Sequence, residues 1–252
     1  MLGIIVGAND AVNVFGSAIA AKMIKFSRAI IFFIIFIIFG SVINAQYPSA
    51  IYQAIIPAYF SIDKIVIILI PVIIATLFSI KLKISSSISQ SLIFSIIGFA
   101  VASGINVNYE IFKRLIFVWV LTPFISFVLA IVLHLLITYL LNAFKFNIFH
   151  KDFIIRILLI LFGCVASFAL GSNLTASVVG IFSPFLNSAI QIHESLLFFL
   201  GSLCIGLGAL LFSRKIIDNI GGKVSKINPV SSLAILGTQI FVLLFFSSKL
   251  II

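Results

Sequence analysis

Nine apolar runs punctuate the chain, at 2–21, 29–46, 62–80, 84–104, 115–142, 153–172, 173–190, 195–212 and 230–248. Most approach the ~20 residues that a helix needs to cross the hydrocarbon layer of a bilayer. The pattern predicts an all-α integral membrane protein, a multi-span helical bundle. At ~20 residues per span the length allows about seven to nine crossings and no sizeable soluble domain. Polar residues interrupt the pattern at three places. Asn9, Asp10 and Asn13 break the first run, while 84–104 and 173–190 open on polar clusters. The latter two are expected to be broken or re-entrant helices. The prolines and glycines inside the runs are tolerable where neighbouring helices satisfy the freed backbone groups.

The connections set the orientation. Segment 22–28 carries Lys22, Lys25 and Arg28 with no acid, and 81–83 carries Lys81 and Lys83. Segments 143–156 and 213–226 are also net basic, whereas 44–61 has no charge and 187–194 has only Glu194. Basic connections stay on the cytoplasmic side. That puts 22–28, 81–83, 143–156 and 213–226 inside and 44–61 and 187–194 outside. Segment 106–114 fits outside if 84–104 crosses.

Composition agrees with the pattern and removes other classes. Of 252 residues, 63% are hydrophobic and 9% charged, with a mean hydropathy of +1.36. No soluble core hides so much apolar surface, and soluble domains usually carry ~25% charged residues. Disorder, a secreted disulfide scaffold and a nucleic-acid partner are excluded. The net charge of +10 comes from the topology-setting connections. Cys164 and Cys204 lie in apolar runs and read as packing residues. The first residues lack the basic region and cleavage site of a signal peptide. The expected location is the plasma membrane, multi-pass, with the lipid bilayer as partner and a homodimer as the expected assembly.

A short string recurs. Gly7-Ala-Asn-Asp-Ala-Val-Asn-Val-Phe-Gly16 resembles Gly171-Ser-Asn-Leu-Thr-Ala-Ser-Val-Val-Gly180. Ser79-Ile-Lys-Leu-Lys-Ile84 resembles Ser247-Ser-Lys-Leu-Ile-Ile252 at a similar offset. Two homologous halves are expected, 1–142 and 143–252. After the first string the chain emerges in a basic connection, and after the second in a charge-poor one. The halves should therefore have opposite orientations. Inverted-topology repeats with broken helices around a midplane site are a common plan of secondary transporters.

Asp10 is the only acid well inside an apolar run. An ionised carboxylate there costs at least ~2.5–3.5 kcal/mol on insertion scales, so it should face a polar cavity, an ion or a proton. Asn9 and Asn13 sit one helical turn apart on one face. Oxygen ligands of this kind suit Na⁺ or a proton. The competing reading is a plain helix cap. Ser85-Ser86-Ser87-Ile88-Ser89-Gln90 opens the fourth run, where hydroxyls and free amides form a neutral cradle for an oxyanion; a simple N-cap is the alternative. Asn173, Thr175 and Ser177 are the second-half counterparts of the first cluster. His134 reads as a packing residue.

Three segments carry a family resemblance. Gly7-Ala-Asn-Asp-Ala-Val-Asn-Val-Phe-Gly-Ser17, Ser85-Ser-Ser-Ile-Ser-Gln-Ser-Leu-Ile-Phe-Ser-Ile-Ile-Gly98 and Val118-Trp-Val-Leu-Thr-Pro-Phe124 resemble the signatures of the inorganic phosphate transporter (PiT) family, which includes sulfate permease-like members. Residues 171–180 resemble its second, more degenerate signature. The resemblance implies a cation-coupled symporter of inorganic phosphate with no cofactor beyond the coupling ion, Na⁺ or H⁺. It puts Ser86, Ser87, Ser89 and Gln90 on the anion side. Asn9, Asp10, Asn13, Asn173 and Ser177 fall on the cation side, with Na⁺ as the metal expected at Asn9, Asp10 and Asn13.

The chain departs from the family at Leu174, where an Asp is usual, at Ser177, where Asn is frequent, and at Ser85, where Pro is usual. The string ending at Ile252 matches the one ending at Ile84, after which a second serine-rich loop would be expected. The alternatives are a transporter of sulfate or another oxyanion, and a non-transporting remnant or subunit. An enzyme is not expected. No two acids lie within one helical turn, and no Cys/His metal spacing occurs.

Overall fold

The computed structural model describes residues 2–43, 55, 61–82, 86–144, 147–182, 193–221 and 227–249. Among them are eight helices: α1 (Leu2–Ala20), α2 (Phe26–Ile43), α3 (Ile62–Leu82), α4 (Ile88–Ala102), α5 (Tyr109–Ala143), α6 (Ile148–Val179), α7 (Glu194–Gly221) and α8 (Pro229–Lys249). Six are long and apolar enough to cross a membrane, while α4 and the apolar part of α8 are shorter. The chain is an all-helical, multi-pass membrane protein. Its apolar exposure fits that solvent. Phe124 and Phe127 on α5 are 68% and 69% exposed, a distribution that water would not tolerate over a whole helix. Most of connection 44–61, together with Lys83, Ser85, 183–192, Lys223, Lys226 and 250–252, lies outside the described residues.

Two expectations are corrected. The first run is not broken: α1 continues through Asn9, Asp10 and Asn13. Their side chains bond to one another and so leave the backbone ladder intact. The second correction is the break expected between 172 and 173. Helix α6 runs unbroken to Val179, because Ser177 Oγ donates back to the Asn173 carbonyl at 3.0 Å and meets its polar need within the helix. Segment 106–114 is also more ordered than a connection. Asn108 caps α5 by accepting from the Ile111 amide, and Glu110 pairs with Lys113 in the first turn.

Close helix crossings organise the bundle. Helix α1 packs most extensively on α7, and α2 on α6. At the first crossing a Cβ on Gly7 would overlap the Ile205 carbonyl, and one on Gly208 would overlap the Ile4 carbonyl. At the second, a Cβ on Gly171 would meet the Ile37 carbonyl and one on Gly40 the Phe168 carbonyl. Small residues let membrane helices approach backbone to backbone. The two crossings correspond residue for residue. Gly7 and Ile4 of α1 match Gly171 and Phe168 of α6 at one constant offset; Ile37 and Gly40 of α2 match Ile205 and Gly208 of α7 at another.

Contacts also order the ends of the helices. Arg214, late in α7, lies over the Phe26 ring at the start of α2, 5.7 Å from its centroid. At the other end Ser41 Oγ donates to the Phe198 carbonyl at 3.1 Å. Helices α2 and α7 are therefore antiparallel. Connection 22–28 shares an end with the basic end of α7, and 193–198 lies at the opposite end. Helices α3 and α4 form a hairpin, pinned where Ser95 Oγ donates to the Ile68 carbonyl at 2.6 Å. The far end of α4 leads to Asn108, whose amide donates to the Ile55 carbonyl at 2.9 Å.

The turn after α1 carries a backbone cost. Lys22 adopts a left-handed conformation, with φ of 59°, between an amide donated from Met23 to the Ala18 carbonyl and one from Lys22 to the Ile19 carbonyl. This is a Schellman closure, whose left-handed position ordinarily takes glycine. Lys22→Gly should raise stability by ~1 kcal/mol, the scale of the left-handed penalty for an L-residue. Thermal unfolding in detergent would show it as a higher midpoint; an unchanged or lower midpoint would refute it.

Candidate functional site

The site is assembled from three distant segments. Helix α1 carries Asn9, which is 8% exposed, and Asp10 beside it. The Asn9 side-chain amide donates to Asp10 Oδ1 at 3.1 Å, and the Asn13 amide donates to the same oxygen at 3.0 Å. One carboxylate oxygen is thus clamped by two neutral donors from its own helix.

The α3–α4 hairpin supplies the second segment. Ser86, just ahead of α4, reaches α1, where Asn9 Nδ2 also donates to its carbonyl at 3.3 Å. Ser87 is the N-cap of α4 and accepts from the Gln90 amide at 3.4 Å. The plain capping role and the tip position therefore coexist. The cap accepts from only one of the free amides that open the helix, and that end carries the positive pole of the helix dipole.

Helix α6 supplies the third. Ser89 Oγ lies 2.6 Å from Ser177 Oγ, so the serine-rich opening of α4 bonds directly to the second glycine-framed string. Ser177 is 4% exposed. Asn173 contributes its carbonyl as the acceptor for Ser177. The structure thus gathers Asn9, Asp10, Asn13 and Ser86 in one hydrogen-bonded set and Ser89, Asn173 and Ser177 in another, both reaching the opening of α4. Ser87 and Gln90 take part through the cap.

Other positions fall differently. Leu174, the counterpart of Asp10, is buried in the apolar core. Thr175 is fully buried and its Oγ1 has no hydrogen-bond partner. Cys164 and Cys204 are free thiols. Among the described residues no three of His, Cys, Asp and Glu cluster as a metal centre. Sequence reasoning passed over Ser17 and Ser232. Ser232 Oγ donates to the Ser17 carbonyl at 3.0 Å. The available signal was the spacing of Asp10, Asn13 and Ser17, which lie on one face of a helix.

Comparisons with known proteins bear on the family and the fold. The model of the phosphate transporter family matches residues 6–251. The chain is 26% identical over 219 residues to a protein of Methanocaldococcus jannaschii named "Putative phosphate permease", covering 86% of this chain and 65% of that one. It is 27% identical over 239 residues to a "Probable low-affinity inorganic phosphate transporter" of Bacillus subtilis, covering 90% of this chain and 71% of the relative. The chain therefore spans just under two thirds of the archaeal relative's length. A solved sodium-dependent phosphate transporter has the same fold, with a TM-score of 0.76 at 18% identity over 96% of this chain and 81% of the other.

Proposed function

The chain belongs to the phosphate transporter family, and we propose that it carries inorganic phosphate across the plasma membrane in symport with a cation. The observation that carries the reading is the meeting of three motif segments, through the Asn9–Ser86 and Ser89–Ser177 contacts. Serine hydroxyls and the free amides of α4 suit a tetrahedral oxyanion. Asp10, with its flanking amides, suits Na⁺, the coupling ion that we favour over H⁺ because the sodium-dependent structural relative shares this fold.

Coupling follows from electrostatics. An ionised Asp10 beside an oxyanion site repels the substrate; like charges at 4 Å repel by about 4 kcal/mol at an effective dielectric of 20. A cation on Asp10 removes that repulsion, so each ligand favours the other. The two halves, 1–142 and 143–252, act as inverted repeats in this reading, supported by the residue-for-residue match of the two glycine crossings. Their faces could then rock about the site.

The direct test is ³²P-phosphate uptake by vesicles holding the chain, in Na⁺ and in Na⁺-free buffer, with sulfate as competitor. Uptake should require Na⁺ and resist sulfate. Ser89→Ala should raise KM for phosphate by about tenfold, the scale of one hydrogen bond to a charged group. Uptake that is blocked by sulfate and indifferent to phosphate would replace the substrate.

A further inference from the structure

Helices α2 and α7 lie side by side and run in opposite directions. Three contacts fix their register. Ser41 bonds the Phe198 carbonyl, a Cβ on Gly206 would meet the Ile34 side chain, and Arg214 covers the Phe26 ring. Each helix carries exposed apolar side chains that repeat along one face: Ile31, Ile35 and Phe39 on α2, and Leu200, Leu207 and Leu211 on α7. Both rows lie roughly a third of a turn from the Ile34–Gly206 contact, in the same helical sense. In antiparallel helices that puts them on one side of the pair.

An exposed arginine heads each row at the same end. Arg28 stands one turn before Ile31, and Arg214 one turn after Leu211. The Arg214 guanidinium is held over Phe26, 5.7 Å from the ring centroid, and Phe26 opens the helical turn that carries Arg28. Among the described residues neither arginine pairs with an acid. Lys22 and Lys25 are exposed in the adjoining turn. Segments 22–28 and 213–226 together hold seven basic residues and one acid, Asp218. Positive charge thus crowns an apolar surface built from two helices.

We propose that this side of the α2–α7 pair binds a phospholipid with an anionic headgroup, the headgroup phosphate at Arg28 and Arg214 and the acyl chains along the two rows. Charge complementarity selects the occupant. A single arginine at a helix end only marks topology. Two of them, from antiparallel neighbours and with one held by a ring, offer forked donors to a phosphate. The rows beside them favour a lipid over free phosphate, which would leave the apolar surface uncovered. Anionic lipids concentrate in the cytoplasmic leaflet, the side that basic connections occupy. A zwitterionic headgroup brings its own cation to the same arginines and gains less.

The full chain, purified in detergent, is titrated with phosphatidylglycerol or phosphatidylcholine, and bound lipid is counted by native mass spectrometry. Phosphatidylglycerol should be retained, and phosphatidylcholine bound about fivefold more weakly, the scale of one charge near the surface. Arg28→Gln combined with Arg214→Gln should weaken phosphatidylglycerol by about thirtyfold, the scale of two. Arg28→Lys with Arg214→Lys keeps both charges and should retain the lipid. Lys151→Gln, in the first turn of α6, should change nothing. The apolar rows are read separately. In Trp119→Phe with Leu211→Trp, brominated phosphatidylglycerol should quench the tryptophan more than brominated phosphatidylcholine does. Should the glutamine variant not fold, that comparison decides alone. Equal retention or equal quenching by the two lipids would overturn the proposal, as would a folded glutamine variant that binds like the wild type. Displacement of the lipid by millimolar inorganic phosphate would give the site to the free anion instead. A tryptophan at 211 shielded from both lipids in a dimer would give the face to a second copy of the chain.

Discussion

Asp10→Asn should cut Na⁺-driven phosphate uptake by about 100-fold or more, since removing one charge of a buried pair costs about 3–5 kcal/mol. The substitution keeps the size of the side chain. It leaves an oxygen for the Asn9 and Asn13 amides, which now donate to Asp10 Oδ1. What disappears is the only charge that α1 offers to a cation between its ends. Two further outcomes separate this from misfolding. Folding should be as robust as in the wild type, because a neutral amide costs less than a carboxylate at that depth. Residual phosphate binding should no longer respond to Na⁺, because the repulsion that a cation must neutralise has gone. Uptake by Asp10→Asn that still follows the Na⁺ gradient would show that coupling resides elsewhere.

The second large effect concerns assembly. Gly7→Ala and Gly171→Ala each place a methyl group on the carbonyl of a neighbouring helix, Ile205 in one case and Ile37 in the other. The obstacle is backbone, so it cannot rotate away. Each variant should lose about 1–3 kcal/mol or more, the cost of overpacking a tight contact. The two losses should be similar, since the crossings correspond residue for residue. Gly98→Ala provides the control. Nothing lies within 4 Å of its added carbon, and alanine in a helix should gain ~0.5–1 kcal/mol over glycine. Melting followed by size-exclusion chromatography in detergent would rank the three. A Gly7→Ala midpoint equal to wild type would mean that the α1–α7 contact gives more easily than its geometry implies.

Much of this architecture was legible in the sequence because lipid imposes one rule on every span. Apolar length reported α2, α3 and α5 to within a few residues at most ends, and charge reported that 22–28 and the basic end of α7 lie together, opposite the start of α7. The polar residues were legible as a set. Asp10, Asn9 and the serines stand out in an apolar chain, and the structure joins them. What the sequence concealed was backbone continuity. Asn173 and Ser177 look like a break, yet a side chain bonding its own helix removes the need for one. The start of α5 was hidden because Glu110, Lys113 and Arg114 resemble a connection, while an Asn108 cap and an ion pair let the helix begin earlier. Ser17 was hidden for another reason. Its carbonyl accepts from Ser232 Oγ, a partner far away in the chain.

The α3–α4 hairpin has a consequence for biogenesis. Helix α4, with 15 residues, is only about 22 Å long, short of the ~30 Å hydrocarbon layer, and its polar tip has no counterpart for Ser89 until Ser177 has been synthesised. The ribosome therefore releases this hairpin into the lipid well before its partner in α6 exists. The Asn9–Ser86 contact can form as soon as the hairpin is made, but its docking on α6 is a late, post-insertion event, and nascent chains stalled before α6 should be forms that membrane quality-control proteases recognise.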